Sequence, residues 1–201
     1  MEISAALVKK LRDMTGAGFM ECKAALTEAN GDIEAATTLL RKRGLASAAK
    51  KAGRTTSQGS IGSYIHMGGK IGVLVEVNCE SDFVARTDQF SGLVKELAMH
   101  IAAADPKYVR RDEVPGTLLD TERDIYRAQF TNSGKPEEVI KKIVEGKLES
   151  YYEQVVLLDQ KFVRDPNVKI SQLIADATAK MGENITVSRF ARYKIGESAT
   201  E

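Results

Sequence analysis

The chain has 201 residues, 43% hydrophobic and 28% charged, with Lys+Arg 29 against Asp+Glu 28 and a formal net charge of +1. That length can bury a real core in one or two domains, and the near-neutral balance argues against a general polyanion binder, whose phosphate contacts need a basic surplus. No apolar run approaches the ~18–20 residues of a membrane span. The start, MEISAALVKKLRD, is amphipathic with an acid at Glu2, so it does not read as a signal peptide. Cys22 and Cys79 form no disulfide framework. The expectation is a soluble, cytoplasmic protein with free thiols.

Residues 3–43 read as three short helices. Ile3, Leu7, Val8 and Leu11 form one apolar face. TGAG (Thr15–Gly18) then breaks the pattern, since glycine supplies turn geometry and weakens helix. FMECKAALTEAN continues as a second helix, closed by Asn30-Gly31. Asp32 can cap a third, DIEAATTLLRKRG, predicted to stop at Gly44. Three helices in some forty residues make a minimal bundle with a marginal core. RKRGLASAAKKAGR (Arg41–Arg54) is basic without an acid and loosens into TTSQGS, predicting a helical or flexible linker.

A hairpin follows, SIGSYIHM and KIGVLVEVN around Gly68-Gly69. Ile71, Val73, Val75 and Val77 share one face of its second strand, while Gly72, Leu74 and Glu76 make the opposite face wetter. After the junction NCESDFVART, a helix carries Phe90, Val94, Leu97 and Ile101 on one stripe, and Pro106 helps end it. Beyond Pro115 come a helix in LLDTERDIYRAQF, a break at NSGK, and a long helix with Pro136 in its first turn. KFVRDPNVK reads as a loop, ISQLIADATAKMGEN as a helix ending at Gly182, and ITVSRFARY as a closing strand. The predicted class is α+β, with a helical domain at 1–54 and an α+β domain at 55–201.

Catalytic candidates are scarce. Cys22, His66, Cys79 and His100 lack the two-to-four-residue pairings of structural zinc sites, so no metal is expected. There is no G-x-S-x-G elbow, and GGKIG has the wrong spacing for a phosphate loop. No cofactor and no catalytic residue are assigned. The basic stretch at Arg41–Arg54 has no interleaved aromatics, which favours a solvated helix end over RNA contact. At the junction, Ser81 or Asp82 can cap a helix, and an acid suits its first turn. Phe83 lies seven residues before Phe90, where helical spacing puts it on the core stripe. By these patterns the junction is either core and cap or a contact for a partner.

Longer motifs decide more. MTGAGFMECKAALTEANGDIEAATTLLRKRG resembles the N-terminal signature of the elongation factor Ts family, and NCESDFVAR is similar to its second signature, N-C-E-T-D-F-V-A-R. LAMHIAAADPKYV, LLDQKFVRD and VSRFARYKIGE also resemble family segments, so the likeness runs from about Ile3 to Glu197. The resemblance implies a guanine-nucleotide exchange factor for elongation factor Tu, which binds Tu·GDP, speeds GDP release and lets GTP enter. It implies no covalent catalysis. The first three helices are then a ubiquitin-associated-like bundle, with Arg12, Phe19 and Met20 matching positions that dock on the nucleotide domain of Tu. Ser81, Asp82, Phe83 and Val84 match the element credited with dislodging Mg²⁺ from Tu, Phe83 acting as a wedge.

Three departures accompany the likeness. Ser81 replaces the common threonine but keeps a hydroxyl, and Phe19 stands where methionine is frequent. The chain also has room for one core unit, where long family members carry a second core subdomain and a coiled-coil insertion. Short members pair as homodimers, and that pairing is the expectation here, with no direct nucleic-acid or membrane partner. Two rivals remain: an interaction module whose Asp-Phe junction is merely core, and an RNA-associated protein using Arg41–Arg54.

Overall fold

The computed structural model describes residues 3–130 and 133–197. The fold is α+β, and its described residues form two compact units, each gathered from three segments. The first comprises residues 3–61, 76–94 and 172–187; the second comprises 62–75, 95–130 with 133–171, and 188–197.

The first unit begins with three helices. Helix α1 (Ala5–Thr15) starts where the Ser4 hydroxyl accepts a hydrogen bond from the Leu7 N–H, and stops at Gly16 in the left-handed region at φ 68°. Helix α2 (Phe19–Glu28) starts at Gly18, whose N–H donates to Glu21 Oε2 at 3.1 Å. It ends through Asn30 and Gly31, both at positive φ, with the Gly31 N–H returning to the Leu26 carbonyl. Asp32 then caps α3 (Ile33–Lys51), its carboxylate accepting from the Glu34 and Ala35 N–H groups. Val8, Leu11, Cys22, Ala25, Leu26 and Ala36 form the buried centre of this bundle.

One sequence expectation changes here. Helix α3 does not stop at Gly44 but runs on to Lys51, so most of the basic stretch is helix. The following LASAAKK is made largely of good helix formers. Gly44 serves packing instead: a Cβ there would sit 3.3 Å from the Ala179 methyl. The basic groups are also engaged locally. Arg43 pairs with Glu28, Lys51 donates to Ser47 Oγ at 3.0 Å, and Arg54 meets Glu80 at 3.5 Å.

Strands β1 (Gln58–Ile65), β2 (Ile71–Cys79) and β5 (Thr186–Lys194) form a sheet in the order β1-β2-β5. Gly68 and Gly69, both at positive φ, turn β1 into β2, and the His66 N–H donates to the Ile71 carbonyl. Val73, Val75, Val77 and Cys79 are buried and Leu74 is exposed, so β2 alternates as the sequence predicts. Gly59 is required by close approach: at φ 145°, an added Cβ would lie 2.2 Å from the Val77 carbonyl oxygen.

After the sheet's second strand come α4 (Asp82–Ala85) and α5 (Asp88–Ala104). Helix α5 ends at Asp105, a left-handed residue before Pro106. Helices α6 (Gly116–Ala128) and α7 (Glu137–Val155) follow, the latter capped at Pro136; Thr131 and the first residue of NSGK, Asn132, lie outside the described residues. The expected loop KFVRDPNVK is instead a small antiparallel pair, β3 (Lys161–Phe162) with β4 (Asp165–Lys169). Pro166 is tolerated because the pairing is irregular just there. Helix α8 (Ile170–Met181) closes at Gly182, φ 77°, as expected from its sequence.

In the second unit, Arg111 binds both carboxylate oxygens of Glu149 and of Asp159 at 2.8–3.0 Å. It also stacks on Tyr152, 4.5 Å from the ring centroid. His100 is fully buried in the same unit. The Val163 N–H donates to its Nδ1, so Nε2 carries the proton and donates to Gln160 Oε1 at 2.9 Å. Burial pushes its pKa below the ordinary 6.5, opposed by the hydrogen bond it donates to Gln160.

Two outcomes follow. Gly59→Ala combines a backbone clash with an unfavourable φ, and should cost about 2–4 kcal/mol, lowering the thermal midpoint by roughly 5–15 °C. An unchanged melt would contradict the close approach. For His100, the unfolded chain accepts a proton that the folded state resists, so this stabilisation is whole above about pH 6.5 and is lost as the pH falls through the window below it. The drop in midpoint between about pH 7.5 and 5.5 should therefore be smaller in His100→Gln than in the parent chain.

Candidate functional site

The junction between β2 and α5 is the most unusual surface of the first unit. Strand β2 ends at Cys79, which is buried, with its Sγ–H donating to the Ser81 carbonyl at 3.1 Å. Burial raises the pKa of this thiol, and the nearby charge of Glu183 raises it further. The chain therefore holds Cys79 as a protonated structural thiol. Ser81 then caps α4: its Oγ accepts from the Val84 N–H at 3.4 Å. Asp82, in the first turn, forms an ion pair with Arg86 at 2.9 Å and stays half exposed.

Helix α4 is only four residues long and buries none of them. Phe83 is 81% exposed. Its placement corrects the reading from helical spacing, which put it on the Phe90 stripe. That spacing holds only along one continuous helix, and the chain breaks between α4 and α5. Thr87 makes the break, its Oγ1 donating to the Val84 carbonyl at 2.8 Å and accepting from the Phe90 N–H at 3.2 Å. Phe90 is consequently buried and Phe83 is not. Val84 is half-buried.

What fixes this exposed turn comes from a distant part of the sequence. Gly182 reverses the chain after α8 and presents Glu183 to the junction. Glu183 Oε2 accepts from the Glu80 and Ser81 N–H groups at 3.1 and 3.0 Å, while Oε1 accepts from Ser81 Oγ at 2.6 Å. In return Glu80 Oε1 accepts from the Asn184 N–H at 2.6 Å. Asn184 is buried, and its amide donates to the Arg54 carbonyl at 2.9 Å. The sequence reading missed Glu80, Glu183 and Asn184. Two acids and an amide at a strand end and past a helix-closing glycine were the available signal, but their partners lie about a hundred residues away.

The second predicted group, Arg12, Phe19 and Met20, lies at the turn from α1 to α2. All three are exposed, Phe19 at 44% and Met20 at 69%. The turn is rigidly made. Thr15 Oγ1 donates to the Leu11 carbonyl at 2.8 Å and accepts from the Ala17 N–H, and the Arg12 carbonyl accepts from the Gly16 N–H at 2.7 Å. Met14, unpredicted, adds a third exposed apolar side chain beside the same turn. An open pocket of about 340 Å³ adjoins it, lined in part by Met14, Gly18, Leu40, Arg41 and Lys180. The two groups thus sit on separate elements, one on the α1–α2 turn and one on α4.

Both groups offer exposed apolar side chains for contact. Among the described residues, no group of three or more His, Cys, Asp or Glu side chains is placed to hold a metal ion. Also among them, no helix is long and apolar enough to cross a membrane. Burying an aromatic as exposed as Phe83 is worth roughly 1.5–3 kcal/mol to whatever covers it.

Comparison with known proteins agrees with the motifs that frame these two surfaces. The family model described as elongation factor TS matches residues 9–197. The chain is 60% identical to elongation factor Ts of Koribacter versatilis over 98% of its own length and 90% of the relative's. It is 61% identical to elongation factor Ts of Fervidobacterium nodosum, covering 98% of this chain and 100% of that one. With Geobacter sulfurreducens elongation factor Ts the identity is 57%, over 98% and 91% of the two chains. A match of this extent, through both the glycine turn and the strand–helix junction, means that the chain belongs to the elongation factor Ts family of translation elongation factors.

Proposed function

We propose that this chain is the guanine-nucleotide exchange factor of elongation factor Tu, and that it acts through contact alone. The observation that carries the reading is Phe83, held in solvent on a capped turn that buries none of its own side chains. In the proposed complex, Arg12, Phe19 and Met20 dock residues 1–54 on the nucleotide domain of Tu, while residues 55–201 supply exchange and dimer contacts. Phe83 then wedges between elements of Tu beside the nucleotide, flanked by Ser81, Asp82 and Val84. The wedge stabilises a form of Tu whose Mg²⁺ and phosphate contacts are distorted, and GDP leaves.

The thermodynamic requirement is differential affinity. A factor that grips nucleotide-free Tu more tightly than Tu·GDP weakens GDP binding, and GDP weakens the factor's grip by the same ratio. No proton transfer, metal or cofactor on this chain enters the scheme. Two kinds of contact divide the labour. Docking residues add to binding in every nucleotide state, whereas the wedge adds only where Tu is distorted.

A homodimer completes the proposal. In the second unit Ile65, Leu74 and Tyr193 are all exposed on strands. Ile65 lies over Gly72, where a Cβ would be 3.1 Å from its Cδ1, so Ile65 and Leu74 share the outward face of the hairpin. Arg192 points the other way, donating to the Ala102 carbonyl, which turns Tyr193 outward. An apolar sheet face of this kind is suited to a second copy.

Release of a fluorescent GDP analogue from Tu tests the exchange reading. Phe83→Ala should slow stimulated release about 10–100-fold at saturating factor, from the loss of the wedge's burial. Met20→Ala should instead raise the concentration needed for half-maximal stimulation and leave the maximal rate in place. Equal rates for parent and Phe83→Ala would end the wedge reading. Separately, Leu74→Glu should convert a dimer to a monomer in sedimentation equilibrium; a parent chain that is monomeric at tens of micromolar would overturn the dimer.

A further inference from the structure

We infer that Glu183 is the positioning residue of the exchange surface, acting on Tu only through the direction it gives Phe83. The inference rests on the wedge reading above and goes beyond it, because Glu183 lies outside both contact groups. Its own carboxylate is turned inward, onto the chain.

The argument begins with what α4 lacks. A four-residue helix has too few internal hydrogen bonds to hold itself, and this one buries no side chain. Val84 and Ala85 are only half-buried, so its orientation depends on its ends. The C-terminal end is set by Thr87, which bridges α4 to α5. The N-terminal end is set by Ser81, and Ser81 is held by Glu183 at two atoms, the N–H at 3.0 Å and the Oγ at 2.6 Å.

The hydroxyl bond is directional. Ser81 Oγ donates its only proton to Glu183 Oε1, which leaves its lone pairs facing the Val84 N–H that it caps. A carboxylate is the group that enforces this, since it accepts at both oxygens and donates at neither. Glu183 Oε2 meanwhile accepts from two successive backbone N–H groups, Glu80 and Ser81, at the point where β2 ends. Glu80 returns a bond to the Asn184 N–H, so the two segments clasp each other reciprocally. The clasp orients the first turn of α4, and the first turn carries Phe83.

Glutamine at 183 keeps the size and one acceptor but replaces the other with an NH₂ donor. It can accept from the backbone pair or from the hydroxyl, not from both. With the backbone pair kept, the NH₂ donates to Ser81 Oγ and no longer fixes the hydroxyl proton. Glu183→Gln therefore leaves the local packing in place and loosens the cap.

The test is a double-mutant cycle in stimulated release of a fluorescent GDP analogue from Tu, using full-length parent, Glu183→Gln, Phe83→Ala and the double variant. Thermal melts check that each is folded. Glu183→Gln should slow maximal stimulated release about tenfold in the presence of Phe83, yet change the residual rate of Phe83→Ala by less than about twofold, because groups acting through one contact are not additive. An equal factor in both backgrounds, or no effect in either, would overturn the positioning role while leaving the wedge intact. Parent and Phe83→Ala rates that coincide would instead overturn the wedge reading itself. If Glu183→Gln melts below the assay temperature, Glu183→Asp takes its place in the cycle, keeping two acceptor oxygens but withdrawing them by one methylene from the Ser81 N–H and hydroxyl, with the same two outcomes.

Discussion

Three hydrogen bonds to one carboxylate hold the junction on which the rest of this surface depends. Glu183 ties the N–H groups of Glu80 and Ser81 and the Ser81 hydroxyl at the end of β2. Without an outside acceptor those backbone donors would be unpaired where a strand has ended and the next helix has not properly begun, at a cost of about 1–3 kcal/mol each if buried. With it, the chain can leave the sheet in a tight capped turn and keep a large aromatic in water. Burial elsewhere makes this possible: β2 is anchored by Val73, Val75, Val77 and Cys79, and α5 by Phe90, Leu97 and Ile101.

The same logic governs the glycine turn at the other surface. Gly16 takes the left-handed conformation and Gly18 begins α2, while Thr15 and Glu21 satisfy nearby backbone groups. Exposed Met14, Phe19 and Met20 are thereby presented from a fixed frame. In both places the backbone beneath the exposed apolar side chains is pinned by side-chain hydrogen bonds, from Thr15 and Glu21 at one turn and from Ser81 and Glu183 at the other. A surface of this kind loses little conformational freedom when a partner covers it, which raises affinity by lowering the cost of ordering.

Much of this was legible in sequence because it is local. The cap at Asp32, the Gly68-Gly69 turn, the alternation of β2 and the end of α8 at Gly182 each follow from a few neighbouring residues. The failures share a cause. Gly44 reads as a helix end because its packing partner, Ala179, is remote in sequence. KFVRDPNVK reads as a loop because a two-residue strand beside a proline carries almost no periodicity. Helical spacing puts Phe83 on the core stripe only along one continuous helix, and Thr87 interrupts it. The match of Phe83 to a family motif points to a partner contact instead. Glu183 could not be found at all, since a carboxylate that serves a strand end a hundred residues earlier looks like any acid after a helix.

The central claim is that Phe83 couples binding of this protein to loss of GDP. The direct measurement is the affinity of the protein for Tu with and without saturating GDP, made in parallel with the affinity of Tu for GDP with and without the protein, for the parent and for Phe83→Ala. The account predicts equal ratios in the two directions for the parent, and a ratio that falls toward one when Phe83 is removed. A Phe83→Ala variant that keeps the full ratio would contradict it, and would place the coupling elsewhere on the surface.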